Sequence, residues 1–302
     1  MPYHLIERLL NPAAPIEAEA SDFDAIARAR LATTRALAIE DKYSLVLQNY
    51  FEFEQQLHRL ALENLLYHSN RWTDFVDDIR DVNRVLMNLL GAQRMYVDQI
   101  PQHLNTVFAP SEAQAKTFVA ATRTEFDGSR GYRIMYTLRN HAQHGEFPVQ
   151  SLSLGSKWLE EGQLRHCSHT ATAFAHRDDL VQNKDLNAKV RSEFSAMPEK
   201  IDLSPLVREN ISSFARLHCI VREELRPRLE ESDIVLRTAY ARFEEHAGRK
   251  PIGLFIVQSG DDGAEIDSHS VFLEGIDRRV RLEQESATMT NMEQHYVSGR
   301  KP

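Results

Sequence analysis

Tyr132-Arg133-Ile134-Met135-Tyr136-Thr137-Leu138-Arg139-Asn140-His141-Ala142-Gln143-His144-Gly145 is the stretch on which the reading of this chain turns. Its spacing predicts a helix from Tyr132 to His144. Gly145 follows, and Pro148 comes shortly after. Glycine takes the left-handed conformation that closes a helix at little cost, and proline cannot continue one.

Working outward on the N-terminal side, helical periodicity dominates. Ala25, Ala29, Ala32, Ala36 and Ile39 recur at three- and four-residue spacing from Asp22 onward. A further run over Tyr43–Tyr67 offers Leu47, Phe51, Phe53, Leu57, Leu60 and Leu65 as core positions, and Asn70–Trp72 interrupts it. Thr73 is a candidate cap for a helix carrying Phe75, Ile79, Val82, Leu86 and Leu90 as far as Ile100, before Pro101. Ser111 is a candidate cap for a helix through Thr124, and Asp127–Gly131 reads as a turn. Pro12–Pro15 and the acidic stretch after it read as a loop.

On the C-terminal side the pattern changes. Residues 148–159 and 164–174 alternate, which predicts a β-hairpin turning at 160–163. Asp178–Ala196 returns to helix. Ser204-Pro205 opens another, running to Pro227, and Ser232–His246 reads as one more. Gly253–Gln258 and Ile266–Leu273 read as two strands joined by Ser259–Gly263.

The fold expected is therefore mainly α: an antiparallel helical bundle with β-hairpin elaborations after the motif and near the C-terminus. The organisation expected is a helical domain over 1–250 with an inserted hairpin at about 148–174, a second hairpin elaboration over 251–288, and a flexible tail over 289–302.

Composition narrows the function classes. The 302 residues are 42% hydrophobic and 26% charged, enough to bury a core. No run of about 18 apolar residues occurs, so no membrane span is expected. Met1–Asn11 does not read as a secretion signal. Two cysteines, Cys167 and Cys219, imply no disulfide framework and fit a cytoplasmic location. The net charge of −8 argues against charge-driven coating of nucleic acid. It leaves room for a local basic pocket.

The chemistry concentrates at the end of the motif helix. Residues advance about 100° each, so Tyr136, Asn140 and His144 share a face while Arg139 lies about 140° from His144. Histidine is the acid or base most readily used near neutral pH. Arginine grips a phosphate with two donors. An in-line attack by a ribose 2′-hydroxyl needs both services and no metal. Asn140 would donate to a phosphate oxygen or fix the histidine tautomer.

Tyr136-Thr137-Leu138-Arg139-Asn140-His141-Ala142-Gln143-His144-Gly145 resembles the HEPN superfamily signature: Arg, four to six residues, then His, commonly with Asn after the Arg. The match is sharp over about ten residues and architectural over roughly 40–230. The resemblance implies an antiparallel helical bundle that forms a homodimer, with one motif per protomer composing a single RNase site. It implies a metal-independent endoribonuclease without cofactor, of the kind found in toxin–antitoxin systems, abortive infection and antiviral defence. RNA would be the substrate, and an antitoxin or regulatory protein a partner. His144 would be general acid or base, Arg139 the phosphate and transition-state stabiliser, and Asn140 an auxiliary donor.

Other residues carry weaker signals. Tyr136 would stack on a base or pack inside the bundle. Asn88, Arg94 and Asp98 mix polar groups into a helical pattern, either orienting the catalytic pair or serving as structural cross-links. His141 reads as a bystander. Arg216, Arg222, Arg226 and Arg228 form a basic streak, with neighbouring glutamates offering salt bridges. Arg165-His166-Cys167-Ser168-His169 resembles a metal cluster only superficially, because on a strand its His and Cys point to opposite faces; no metal is expected. The alternative to an RNase is a non-catalytic HEPN-like module that scaffolds a partner protein or nucleotide. A DNA-binding regulator is a third option, against which the acidic charge counts.

Overall fold

A computed structural model describes residues 1–67, 72–108, 113–144, 147–161, 164–182, 186, 188–287, 289 and 291–295. For Trp72, Gln143, His144, Glu160, Glu161, Leu164 and His166 it describes the backbone alone. The expected caps at Ser111 and Gly145, part of the break at Asn70–Trp72, the tip of the first hairpin and the end of the tail lie outside the described residues.

The described residues are mainly helical, with eight α-helices and two small antiparallel sheets. Among them, no helix is long and apolar enough to cross a membrane. The chain divides into two compact units, each assembled from separate stretches of sequence.

One unit comprises Met1–Asp41, Gln99–Phe118 and Cys219–Thr288. Its sheet has the order β2-β1-β6-β7, from β1 (Tyr3–Glu7), β2 (Ile16–Ala18), β6 (Leu254–Ser259) and β7 (Glu265–Ser270). Leu5 and the alternating Leu254 and Ile256 face a core shared with Phe23, Ile26 and Ala29 of α1 (Ala20–Tyr67). Leu236, Ala239 and Phe243 of α7 (Leu203–Ala247) add a stripe at helical spacing, and Ile276 of α8 (Leu273–Glu285) completes it.

The other unit comprises Lys42–Asp98, Val119–His218 and Met289–Pro302. Here α2 (Trp72–Val107) as far as Asp98, α3 (Gln114–Gly128) from Val119, and α4 (Arg130–His144) precede a hairpin of β3 (Ser151–Glu161) and β4 (Leu164–His176), with Ser151 opposite Phe174. Two short helices follow, α5 (Arg177–Val181) and α6 (Ala188–Ser195). Strand β5 (Lys200–Asp202) then pairs with the end of β4.

Several expectations need correction. The acidic stretch after Pro15, read as a loop, contains β2, and Tyr3–Glu7, for which no element was expected, is β1; β1 pairs with β2 on one side and with β6, some 250 residues away, on the other. Residues 266–273 end as a strand at Ser270, and α8 follows. Leu273, Ile276 and Val280 pack on the core at helical spacing. Asp178–Ala196 is two helices, not one. Pro101 and Pro227 sit inside α2 and α7 instead of ending them. Interior proline costs about 3 kcal/mol. Ile100 and Leu104, and Leu225 and Leu229, are buried on either side, and that tertiary burial offsets the loss. Part of the tail is structured: Met292–Gln294 form a 3-10 turn, and Ser212 donates to the Glu293 carboxylate.

Candidate functional site

Three helical stripes build the pocket that contains the motif arginine. Leu90, Gln93, Arg94 and Val97 come from α2, and Tyr132, Met135, Tyr136 and Arg139 from α4. Both sets follow the spacing i, i+3, i+4, i+7, which places four side chains on one helix face. Asn210 and Phe214, one turn apart on α7, close the third side. The pocket is open to solvent, and the space within and at its mouth amounts to about 330 Å³.

Close packing holds α4 against α7. A Cβ at Gly131 would lie 2.6 Å from both Glu209 Cβ and the Leu206 carbonyl oxygen, so only glycine permits this approach. Ser129, between α3 and α4, donates its hydroxyl to Glu209 at 3.0 Å and accepts the Tyr132 N–H at 3.2 Å. Buried Arg133 donates to the carbonyls of Phe126, Asp127 and Ser129 and forms a two-pronged ion pair with Glu193. It thus satisfies carbonyls that the end of α3 leaves open.

Arg139 is half-buried, with its guanidinium carbon 5.5 Å from the centre of the Tyr136 ring. It donates to the Asn140 side-chain oxygen. Its Nε is buried and has no hydrogen-bond partner among the described residues. Burial, and then the positive charge of Arg94, lower its pKa below the usual arginine value. Arg94 is held by Asp98 at 2.5 Å. Tyr136 is exposed, with Phe126 edge-on at 5.5 Å. Tyr132 is buried, which pushes its hydroxyl pKa up to about 12.

The structure thus brings Arg139, Tyr136 and Arg94 to one pocket, with Asn140 and Asp98 joined through hydrogen bonds to the two arginines. Asn88 is exposed and does not line it. His144 ends α4, and its side chain lies outside the described residues. His141 is buried.

Sequence reasoning missed Gln93 and Asn210. Both are buried, and the Asn210 amide nitrogen donates to Gln93 Oε1 at 2.8 Å. The Gln93 Nε2 has no partner among the described residues. The i, i+3, i+4, i+7 match of 90–97 with 132–139 was the available signal for Gln93, and no spacing marks Asn210.

Two arginines of the basic streak on α7 are paired, with other glutamates than their neighbours in sequence. Arg216 binds Glu125 at 2.8 Å, and Arg222 binds Glu40 at 2.7 Å. Arg228 lies over the Phe108 ring at 5.8 Å. Among the described residues no group of three His, Cys, Asp or Glu is placed to hold a metal ion. His169 instead hydrogen-bonds Ser156 at 3.0 Å.

No protein-family model, curated protein or solved structure matches the chain.

Proposed function

We propose that the protein is a HEPN-like, metal-independent endoribonuclease. The observation that carries this reading is the state of Arg139. It is a half-buried cation that feels the charge of a second cation, Arg94, and lines an open pocket beside an exposed aromatic ring. A phosphodiester supplies the missing negative charge and acceptors, and a nucleobase suits the ring.

Arg139 would grip the scissile phosphate and stabilise the charge that builds on it. Its bond to the Asn140 oxygen turns the Asn140 amide nitrogen into a spare donor for the same phosphate. His144 would transfer the proton. In this reading the helices form an antiparallel bundle and two chains meet in a homodimer, so that Arg139 of one chain and His144 of the other share a cleft. The RNA cleaved would be cellular or viral, as suits a toxin or phage-defence effector in the cytoplasm held in check by an antitoxin or regulatory protein.

The test is expression of the wild type, Arg139→Ala and His144→Ala, followed by incubation of each purified protein with total RNA in a metal chelator. The wild type should slow growth and cleave RNA under chelation, and both variants should do neither. Equal growth of all three with intact RNA would overturn the reading in favour of a non-catalytic binding module.

A further inference from the structure

We infer that the outer edge of β3 pairs, antiparallel and centred on Ser156, with the same edge of a second copy of this chain, each copy seating its Trp158 against Leu154 and the acidic pocket beside it in the other. The proposed nuclease calls for a dimer but names no surface for it. The inference stands on the hairpin and not on Arg139.

β3 is the outermost strand of its sheet, whose order is β3-β4-β5. Its residues, Ser151–Glu161, pair with β4 in an unbroken register. Among the described residues no backbone hydrogen bond joins 151–161 to anything but β4. A long edge without proline or bulge is open to a further strand, and an identical edge is one way to close it.

The side chains favour one register. Strand alternation puts Leu152, Leu154, Ser156 and Trp158 on one face. Leu152 is buried and Leu154 half-buried, whereas Trp158 is 61% exposed. An antiparallel self-pairing keeps like faces together only when its axis passes through a residue. With the axis at Ser156, Trp158 of each copy falls opposite Leu154 of the other, with Cβ atoms about 4.5–5.5 Å apart. Lys157 then falls opposite Gly155, and Glu160 and Glu161 fall opposite Leu152 and Ser151, past the pocket. An axis at Lys157 would set two lysines against each other. An axis at Gly155 would move Trp158 to Leu152, which is already covered.

The pocket supplies the complement. Leu154 lines it with Leu60 and Tyr67 of α1 and Phe75 of α2, around about 180 Å³. A cavity of about 150 Å³ takes a benzene ring, so this space suits one ring of an indole. Leu154 is the one hairpin residue among its described lining, and no residue of β4 joins it, so the pocket lies toward the open edge. Glu63, Asp74 and Asp78 complete the lining. Arg59 binds Glu63 at 2.6 Å, while Asp78 has no ion pair among the described residues. Burial, and the crowding of Glu63, Asp81 and Asp74, push the Asp78 carboxyl above its usual pKa against the pull of Arg59. The Arg165 guanidinium lies 5.3 Å from the centre of the Trp158 ring. A docked Trp158 therefore brings a cation toward these carboxylates.

The experiment is sedimentation equilibrium of the full chain, joined to cysteine cross-linking. The wild type should dimerise in the micromolar range. Trp158→Ser should raise the dissociation constant at least about tenfold, the loss expected for an aromatic anchor, with thermal melting used to establish that the variant folds. Ser156→Cys should form a covalent dimer under mild oxidation, because opposed Cα atoms lie about 4.5–5.5 Å apart, within disulfide range. Ser153→Cys should not, because its two copies would lie about 20 Å apart along the strands.

A monomeric wild type overturns the proposal, as does a dimer that Trp158→Ser leaves intact or one that Ser153→Cys links as readily as Ser156→Cys. A dimer with this pattern that cleaves no RNA would leave the surface standing and remove the nuclease reading. RNA cleavage by a protein without this pattern would do the reverse.

Discussion

Asn83 on α2 holds the backbone of Val149 by both of its polar groups. Asn83 Nδ2 donates to the Val149 carbonyl at 2.8 Å, and the Val149 N–H donates to Asn83 Oδ1 at 2.9 Å. Both residues are buried. The amide thus stands in for a strand partner at the point where the chain emerges from the motif region and enters the hairpin.

Removing that amide should be expensive. Asn83→Ala leaves a buried N–H and a buried C=O unmet, and should cost about 3 kcal/mol in urea unfolding. Asn83→Asp keeps the acceptor for the N–H but sets a carboxylate against a carbonyl oxygen. Its deficit against wild type should be largest near neutral pH and should shrink on acidification, when the protonated carboxyl regains a donor. A deficit that grew on acidification would show that the second hydrogen bond contributes nothing.

Two glycines near the start of α4 should respond to the same substitution with opposite signs. A Cβ at Gly131 meets Glu209 and Leu206 at 2.6 Å, whereas at Gly128 nothing lies within 4 Å. Gly131→Ala should cost about 1–3 kcal/mol as α4 is pushed off α7. On the proposed ribonuclease reading it should also impair RNA cleavage, because α4 carries Arg139. Gly128→Ala adds a better helix former without a clash, and should be neutral or stabilising by up to about 1 kcal/mol. Paired thermal melts of the two variants check both signs.

The motif helix was legible because its signals are local: helical spacing, a following Gly and Pro, and a polar cluster at the end. Arg139, Tyr136 and Arg94 could be singled out for the same reason. The rest of the pocket depends on burial, which composition does not reveal. Gln93 and Asn210 look like ordinary surface polar residues until three helices enclose them. Gly131 reads as a turn residue, yet it is helical and serves a close helix approach. Strand β1 has its partner at the other end of the chain, and interior Pro101 and Pro227 are tolerated through packing that no window of sequence contains.

Arg133 and Arg139 lie six residues apart on one helix and should behave as opposites. Arg133 is spent on structure, with Glu193 holding its charge and three carbonyls filling its Nη1. Arg133→Lys cannot reproduce the fork, and should destabilise the fold by about 3 kcal/mol. Arg139→Ala removes a cation that burial and Arg94 already disfavour. It should leave the unfolding midpoint unchanged or raised and, on the proposed ribonuclease reading, abolish RNA cleavage. Chemical denaturation of both variants side by side separates the two roles; a large loss of stability in Arg139→Ala would assign it a structural part.

Glu7 gives a pH dependence whose direction follows from its partners. The Arg249 hydrogen bonds at 2.6 and 2.7 Å act most strongly, burial opposes them, and the N–H groups of Ala13 and Ile252, each at 3.0 Å, add to the Arg249 effect. The net result holds the carboxyl at a pKa of about 2, against an ordinary 4.5. A pKa lowered by folding means that the carboxylate stabilises the native state fully above about pH 4.5 and that this contribution is lost as the pH falls toward 2. Glu7→Gln keeps the shape but turns an amide toward groups that all donate, and should cost about 3 kcal/mol at neutral pH. The difference in urea midpoint between wild type and Glu7→Gln should therefore narrow on acidification through that window. A constant difference would mean that the pair contributes through packing and not through charge.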